Sequence, residues 1–441
     1  MTVTTDGKKA ADIRVSAPIS WVSSFGLTLD AYHSITVDKS ISDSGSGSLS
    51  LVTDDGGTGG VLLFGAKGNV TFLGTSNALT INGGAYTLET SIATLAAAVA
   101  ANPSGNFALI NDYDASVDGT YTSSPISTLF AGTFDGLGHT ISNLSISVTK
   151  GNPVGFFAEA DIGGNINHVT LAHVDVQAPQ KRALVGGIAG DSSGLLLGDH
   201  VSGHIAGGDG SIGGISGAGG AIEYASSSAS VTSAGGTAGS LNGESGKIFD
   251  SFATGKVSVT GAGSAGGLSG YPSSIFNSYA TGTATAEATA RAGVSVGGLA
   301  GVVGDGGGTV LGNSYATGDV VSKARAGTRA YIGGLIGYDV GGIATSYSTG
   351  HVRAHAGAYS GGLVGYVQQQ GTFAATDWDT DTSGITNLSQ GAGYPSSEGG
   401  ISGLTTAQFQ SGLPSGFDPT VWAEDPSINN GLPYLIDNPP R

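Results

Sequence analysis

The chain has 441 residues and a formal net charge of −17, which disfavours binding to the phosphate backbone of nucleic acids. It contains no cysteine, so disulfides and thiolate chemistry are excluded, and no run of 18 apolar residues predicts a membrane-spanning helix. There are 79 glycines, but 39% of the residues are hydrophobic and the apolar ones alternate with small polar ones, which favours a folded β protein over a disordered chain.

Residues 1–89 alternate apolar and polar side chains in short stretches such as "LTLDAYHSITVDKSI" and "GSLSLVT", separated by Gly, Ser and Asp. This pattern predicts the first coils of a β-solenoid. The opening stretch "MTVTTDGKKAADIRV" lacks the apolar core of a signal peptide. Either Met1 is an added start or the chain is a segment of a longer exported protein.

Residues 90–125 interrupt the strand pattern. The stretch "TSIATLAAAVAANPSG" has apolar residues at helical spacing, with Ser91 in the position of an N-cap and a proline near the end. It predicts one helix packed on the solenoid. "NFALINDYDAS" then predicts a returning strand.

Residues 126–375 carry an internal repeat. A Gly-Gly-x-x-Gly phrase occurs seven times at intervals of 22 to 36 residues, starting at Gly186, Gly213, Gly235, Gly266, Gly297, Gly333 and Gly361. From Asp250 onward a phrase like "NSYATG" lies between consecutive copies. Coils of this length that tolerate variable loops predict a parallel β-solenoid with stacked strands about 4.8 Å apart.

Residues 376–441 lack the repeat, and they are expected to cap the open sheet edge of the last coil. Within them, Asp377, Asp379 and Asp381 have the spacing that opens a calcium loop. The sixth and twelfth positions of an EF-hand would need Gly and Glu, whereas Thr382 and Leu388 occupy them. These acids are therefore a weak calcium candidate, and a polar turn is the favoured interpretation.

The repeated aromatic residue raises the main functional question. Alternation along each "S-aromatic-x-T-G" strand puts Ser, Ala, Gly and Val on one face and the aromatic on the other, so Phe252, Tyr279, Tyr315 and Tyr347 would form an external ladder. Three interpretations stay open. The rings fill core gaps if the alternation flips at the glycine; they stabilise neighbouring strands under covering loops; or they form an exposed stripe that binds sugars.

The order of motifs resembles a known family. The "GGLxG" phrases alternating with "NSYATG" resemble the GLUG repeat of large bacterial surface exoproteins, and "ADIRVSAPISW" with "LTLDAYHSITVDKSI" is similar to the solenoid of filamentous-haemagglutinin-like adhesins of two-partner secretion. The resemblance implies a right-handed parallel β-helix, export to the cell surface, and a role in adhesion or in a matrix.

These observations predict an extracellular or bacterial cell-surface β-solenoid that is adhesin-like and not an enzyme. No cofactor is predicted; the expected partners are glycans, host or matrix surfaces, or further copies associating head to tail, with no nucleic acid. Two alternatives remain. A carbohydrate-active β-helix enzyme would need clustered carboxylates in a groove, whereas the acids are scattered along the sequence. A self-assembling fibre subunit would stack its first coil on the next copy.

Overall fold

A computed structural model describes residues 1–7, 11–288, 293–304, 309–323, 327–368 and 371–440. These described residues form a parallel β-solenoid of about 14 turns with two α-helices and a small C-terminal sheet. The predicted all-β solenoid with one packed helix is therefore confirmed. Within the described ranges no helix has the length and apolarity needed to cross a membrane.

The N-terminal part is a three-sided solenoid in which matched residues of successive turns lie 22 to 30 positions apart on the first side, from Leu27 paired with Leu49 to Ser48 paired with Ala78. Its sides are formed by Thr2–Thr4, Leu27–Asp30, Ser48–Val52 and Ala78–Ile81; by Ile13–Val15, Ile35–Val37 and Leu62–Phe64; and by Ile19–Trp21, Ile41–Asp43 and Val70–Phe72. Alternate residues of these strands are buried, because each side chain set faces either the narrow core or the solvent.

The chain then changes the face of the sheet against which it packs. Strand Gly84–Glu89 runs antiparallel to Ala78–Ile81 and parallel to Asn106–Leu109. In strand Asn106–Leu109, the Phe107 and Leu109 side chains are buried in the core of the main solenoid that follows, which we call the second core. Ala108 is buried in the core of the N-terminal solenoid, the first core. The two solenoid cores therefore lie on opposite faces of one continuous sheet.

Helix α1, Ile92–Ala101, connects strands Gly84–Glu89 and Asn106–Leu109. The Ser91 side chain accepts a hydrogen bond from the Thr94 backbone N–H at 3.2 Å, so the predicted N-cap is confirmed. Ile92, Leu95 and Val99 are buried in the second core, where the helix covers its first turn.

Two buried histidines join the solenoids. The Nδ1 atom of His168 lies 3.0 Å from Oδ2 of Asp135, and its Nε2 lies 2.7 Å from the Leu62 carbonyl oxygen. His139 bridges in the same way, to Asp112 and to the Val70 carbonyl oxygen. Both nitrogens of each ring lie within hydrogen-bond distance of an oxygen atom, and each ring ties the edge of the N-terminal solenoid to the main one.

Each turn of the main solenoid contributes up to five short strands, which stack into five columns, A to E. Column A contains Leu184–Val185, Ser211–Gly213, Gly236–Gly239, Gly263–Gly266, Val294–Gly297, Ala330–Gly333 and Tyr359–Gly361. Column B contains Phe157–Ala160, Ala189–Ser192, Ser216–Ala218, Asn242–Glu244, Ser269–Tyr271, Ala300–Val303, Ile336–Asp339 and Val364–Val367. The Gly-Gly-x-x-Gly phrase lies at the corner between columns A and B.

Columns C to E form the long sheet. Column C contains Asn106–Leu109, Thr133–Asp135, Asn165–Asn167, Leu195–Leu197, Ala221–Glu223, Lys247–Phe249, Ser274–Phe276 and Thr309–Gly312. Column D contains Tyr113–Asp114, Thr140–Ser142, Ser226–Ser227, Phe252–Ala253, Tyr279–Ala280, Tyr315–Ala316 and Ile401–Leu404. Column E contains Thr120–Tyr121, Ser145–Ser147, Ser230–Ser233, Val257–Val259, Ala284–Ala286, Val320–Ser322 and Val352–Arg353. Longer strands join two columns: Thr170–Ala178 and His200–Gly207 in D and E, and Gly342–Ser348 and Phe373–Asp379 in C and D.

The register corrects one copy of the repeat. Gly213 and Gly266 both pair with Gly239, not with Gly235, so "GSLNG" from Gly239 is the third structural copy. Ser240 there replaces the second glycine of the phrase. With this correction the copies before residue 297 recur at nearly constant intervals, because inserted residues lie in the later loops.

The third residue of each phrase points into the core. It is leucine in the last four copies, where Leu268, Leu299, Leu335 and Leu363 are all fully buried in one continuous cluster. The glycines beside them are required by close approach of neighbouring turns, since a Cβ built on Gly298 would lie 2.2 Å from the Gly334 carbonyl oxygen.

Most of the remaining elements are at the C-terminal end. Helix α2, Thr406–Phe409, follows the last column D strand, and Trp422–Ala423 pairs antiparallel with Tyr434–Leu435. Short 3₁₀ helices occur at Ala115–Asp118, Leu388–Gln390 and Asn429–Gly431. We refer to residues 405–440 as the C-terminal segment.

A buried carboxyl on column B makes stability depend on pH. Asp339 is fully buried; its Oδ1 accepts from the Gly341 N–H, and its Oδ2 has no hydrogen-bond partner among the described residues. Burial raises the pKa of this carboxyl from its usual 3.8 to about 7. The folded protein thus holds this proton more tightly than the unfolded chain, so this group's contribution to stability is full below pH 4 and is lost as pH rises to about 7.

Asp339→Asn should therefore raise the melting temperature at pH 8 relative to the unchanged protein and have little effect at pH 4. The difference in unfolding free energy between the two pH values should reach at most about 4 kcal/mol for this group. Thermal unfolding across pH 4 to 8 measures it, with the exposed Asp161→Asn as control. Parallel pH profiles for the Asp339 variant and the unchanged protein would contradict this.

Candidate functional site

The aromatic residues of the repeat form a ladder on the outside of column D. In register along the outer row lie Thr170, His200, Ser226, Phe252, Tyr279, Tyr315 and Tyr347. Adjacent rings from Phe252 to Tyr347 stack nearly parallel, with centroids 4.9 to 5.1 Å apart. The intervening Ala253 and Ala316 are buried in the solenoid core. The predicted alternation, with small residues inside and rings outside, is confirmed.

The tyrosine part of this outer row is nonetheless covered. Tyr279, Tyr315 and Tyr347 are at most 1% exposed. They form a cluster separate from the solenoid core, together with residues of the C-terminal segment: Phe409, Phe417, Trp422, Leu432 and Leu435. The interpretation of an exposed tyrosine stripe is therefore wrong, because the C-terminal segment folds back over the outside of the last turns. The alternative of a covered, stabilising ladder matches what is seen.

The tyrosine hydroxyls help to hold this cover. The Tyr347 hydroxyl donates to the Pro433 carbonyl oxygen at 2.6 Å and accepts from Asn429 Nδ2 at 2.9 Å. The Tyr279 hydroxyl donates to the Pro439 carbonyl oxygen at 3.3 Å. Asn438 Nδ2 donates to backbone oxygens of the ladder turns at 3.0 and 3.2 Å. The segment is thus fixed from the last turn back to Phe252.

Phe252, the first ring of the ladder, lies where this cover ends. It is half-buried and lines two adjoining cavities of about 440 and 420 Å³. The next position in the outer row is the small Ser226, so the row of aromatic rings stops here. The cavities share Phe64 and His200 and form one cleft on the outside of column D.

The cleft is built from three distant parts of the chain. One wall comes from the N-terminal solenoid, with Arg14, Asp38 and Phe64. The opposite wall is the end of the C-terminal segment, from Asp437 to Pro439. The floor is the outer row around His200 and Phe252 with the neighbouring serines Ser202, Ser226 and Ser228 and the threonine Thr254. An aromatic side chain among many hydroxyl groups suits a ligand that is apolar on one face and polar at its edges.

Polar side chains in the cleft are oriented by bonds within the protein. The Arg14 guanidinium forms an ion pair with the Asp38 carboxylate on the N-terminal wall. On the floor, His200 Nδ1 lies 2.7 Å from the Ser226 hydroxyl oxygen of the next turn. These contacts fix the positions of the groups that face the cleft.

Carboxyl groups gather at one side of the cleft. Asp250 and Asp437 both line it, together with Tyr224, and Glu223 precedes that tyrosine. Burial, followed by the negative charge of Asp437, raises the pKa of Asp250 against the lowering effect of a hydrogen bond from Asn277. Burial and the Asp250 charge likewise raise the pKa of Glu223. This side of the cleft therefore carries closely interacting acids.

The weak calcium candidate has a different arrangement. Asp379 Oδ1 accepts from the backbone N–H of Asp381 at 2.8 Å, and Asp379 Oδ2 accepts from the Thr406 hydroxyl at 2.6 Å. Asp377 is buried on the outer row beside Tyr347, and burial raises its pKa to about 7. The described residues include no group of three acidic or histidine side chains placed to hold a metal ion. Asp379 closes the polar turn that the sequence favoured.

Sequence reasoning placed Phe252 in the ladder but missed the cleft around it. Arg14, His200, Asp250 and Asp437 come together only because the N-terminal solenoid and the C-terminal segment both lie against column D. No spacing in the sequence links these residues. The sequence contained one indication of the cleft: the outer row position is aromatic in four turns, whereas the turn before Phe252 has Ser226 there.

No protein-family model and no solved structure matches the chain. A 78-residue stretch is 41% identical to halomucin of Haloquadratum walsbyi (strain DSM 16790 / HBSQ001). That stretch is 18% of this chain and spans about 1% of the length of halomucin. The similarity is partial and assigns no family, so the GLUG and haemagglutinin-like resemblance stays a prediction.

Proposed function

We propose that the protein is a non-catalytic β-solenoid of the cell surface or the extracellular space that binds a carbohydrate chain in the cleft at Phe252. The observation that carries the proposal is the change along the outer row, where three covered tyrosines give way to a phenylalanine that lines a cavity. The surface location is supported by the resemblance of the repeats to exoproteins and by the partial similarity to halomucin.

The composition of the cleft supports a sugar as ligand. The flat C–H face of a sugar ring packs on an aromatic side chain, while its hydroxyls exchange hydrogen bonds with groups such as those of Ser228 and Thr254. Asp38, Asp250 and Asp437 line the cleft, whereas Arg14 is paired with one of them. We therefore expect an uncharged or weakly basic sugar here, because an acidic one would meet like charge.

Two substitutions test the site by opposite means. Phe252→Ala removes the ring on which the sugar would pack, and Ser226→Phe extends the ladder by one step into the cleft. Both should reduce binding to the glycans that the unchanged protein retains on a glycan array, by about tenfold or more. Phe249→Ala is the matched control, because Phe249 stacks on Phe276 outside the cleft with centroids 5.8 Å apart.

Absence of any glycan ligand would sink the proposal, as would equal binding by Ser226→Phe and the control. Ser226→Phe is the more decisive variant, since it adds a ring to an existing stack and leaves the tyrosine cover in place.

A hydrolase is the second candidate, and one observation favours it. Asp250 and Asp437 line the same cleft, burial raises the pKa of Asp250, and glycoside hydrolysis uses a pair of carboxyl groups of which the general acid has a raised pKa. Release of reducing ends from a glycan bound by the unchanged protein, and its loss in Asp250→Asn, would favour this second candidate over binding alone.

A further inference from the structure

A second aromatic cluster lies on the far side of the solenoid from the sequence-predicted ladder, on the outer faces of columns A and B. It consists of five tyrosines from three successive turns: Tyr331, Tyr338, Tyr359, Tyr366 and Tyr394. Two of them flank each glycine corner, in "YIGGLIGY" and "YSGGLVGY". We refer to this group as the tyrosine corner.

The rings of the tyrosine corner contact one another in both directions. Along the stack, Tyr338 and Tyr366 are parallel with centroids 5.3 Å apart, and Tyr331 lies 5.9 Å from Tyr359. Across the corner, Tyr331 is tilted by 54° against Tyr338 at 5.1 Å. The contacts produce one continuous aromatic surface that turns around the corner between the two columns.

This surface differs from the covered ladder in its exposure. Tyr359 is 41% and Tyr394 50% exposed, whereas the ladder tyrosines are at most 1% exposed. In the two preceding turns the matching position of column A holds a small residue, with Ser264 and Ser295 in register with Tyr331. A contiguous aromatic surface that remains exposed to solvent is characteristic of a recognition site.

A groove of about 890 Å³ continues from the tyrosine corner along the solenoid axis. Ser264 and Ser295 line its floor, while Tyr331, Tyr338 and Arg329 lie at one end. The three residues Ser264, Ser295 and Tyr331 belong to successive turns, so the groove extends over about 10 Å of stacked strands. Its direction and its hydroxyl-bearing floor suit a linear polymer rather than a compact ligand.

The charge of the groove is opposite to that of the chain. The formal net charge is −17, yet the described residues that line this groove include Arg329 and neither aspartate nor glutamate. Arg329 is exposed and interacts with the hydroxyl of Tyr331, which directs its guanidinium toward the aromatic surface. A guanidinium is a geometric match for a carboxylate or sulfate group.

We propose that the tyrosine corner and its groove bind a linear polysaccharide that carries acidic groups, with sugar rings on Tyr359 and Tyr394 and one acidic group on Arg329. This site is separate from the Phe252 cleft and differs from it in the charge of its ligand. It does not depend on the proposed function of that cleft.

The test compares three polymers of equal length: oligogalacturonate, sulfated dextran and uncharged dextran. Titration calorimetry at physiological ionic strength should show binding of at least one acidic polymer about tenfold tighter than uncharged dextran. Carboxylate and sulfate arms identify which acidic group is preferred. Arg329→Gln should lose about tenfold in affinity, and the double variant Tyr359→Ser with Tyr394→Ser should lose at least as much.

Arg353→Gln is the matched control, because Arg353 is also exposed but contacts Asp319 on another face at 3.6 Å. The proposal is overturned if neither acidic polymer binds, if dextran binds equally well, or if Arg329→Gln binds like the control. Phe252→Ala should leave binding of acidic polymers unchanged, so failure at one site is distinguishable from failure at the other.

Discussion

Replacing Gly298 by alanine should lower the free energy of unfolding of the solenoid by roughly 3 kcal/mol or more. The added Cβ would lie 2.2 Å from the Gly334 carbonyl oxygen and 2.8 Å from the Ala316 side chain. The first atom is backbone of the next turn, so relief of the clash requires a shift of stacked strands. Thermal unfolding should show a fall of several degrees, and hydrogen exchange should increase first in the turns that contain residues 298 and 334.

Gly74→Ala supplies the matched control. A Cβ built on Gly74 meets no atom within 4 Å, and the backbone there does not adopt the left-handed conformation. This variant should melt with the unchanged protein. Equal melting temperatures for Gly298→Ala and Gly74→Ala would show that neighbouring turns do not approach as closely as the corner geometry requires.

Replacing Trp422 by alanine should release the C-terminal segment from the ladder without unfolding the solenoid. Trp422 is 1% exposed, and its ring lies 6.0 Å from Tyr315, 5.9 Å from Tyr347 and 4.8 Å from Phe417 between centroids. Loss of a buried ring of this size costs about 3 to 5 kcal/mol. Each solenoid turn is stabilised by its neighbouring turns. The loss of packing energy at Trp422 should therefore detach the C-terminal segment and leave the solenoid folded.

Nitration by tetranitromethane, mapped by mass spectrometry, measures this release. In the Trp422 variant Tyr315 and Tyr347 should become reactive while the circular dichroism of the β-structure is retained. Ile436→Ala, in the same segment but 42% exposed, should leave both tyrosines protected. Protection that is identical in the two variants would mean that Trp422 does not hold the segment in place.

The solenoid itself could be predicted from the sequence, because each stacked turn requires similar residue types at matched positions. The alternation in "NSYATG" correctly assigned Ser314 and Ala316 to the inside and Tyr315 to the outside. The helix after Ser91 followed from a local pattern of the same kind. Each of these features depends on residues within one turn or on the identical position in the next.

Features that depend on distant segments were not accessible. Nothing in the repeat indicates that residues 405–440 fold back over the tyrosines, because the covering side chains follow no period. The copy at Gly239 was misread because Gly235 offers a better match to the phrase, although the strand register selects Gly239. The change of core at Phe107 and Ala108 likewise needs both solenoids to be in place.

The tyrosine corner is an intermediate case. The repeated pattern of tyrosine, one residue, Gly-Gly, two residues and Gly-Tyr at Tyr331 and Tyr359 is visible in the sequence. Strand alternation would have placed both flanking tyrosines outside, by the reasoning that was applied to the ladder. What the sequence could not show is that no described segment covers this corner while the C-terminal segment covers the ladder.

The central claim is that the ladder tyrosines are covered structural residues and that the accessible aromatic surface lies elsewhere. Nitration of the unchanged folded protein tests it most directly. We predict modification of Tyr359 and Tyr394, with Tyr279, Tyr315 and Tyr347 unmodified until the protein unfolds. Modification of Tyr315 and Tyr347 in the folded protein, at the rate found for Tyr394, would contradict the claim.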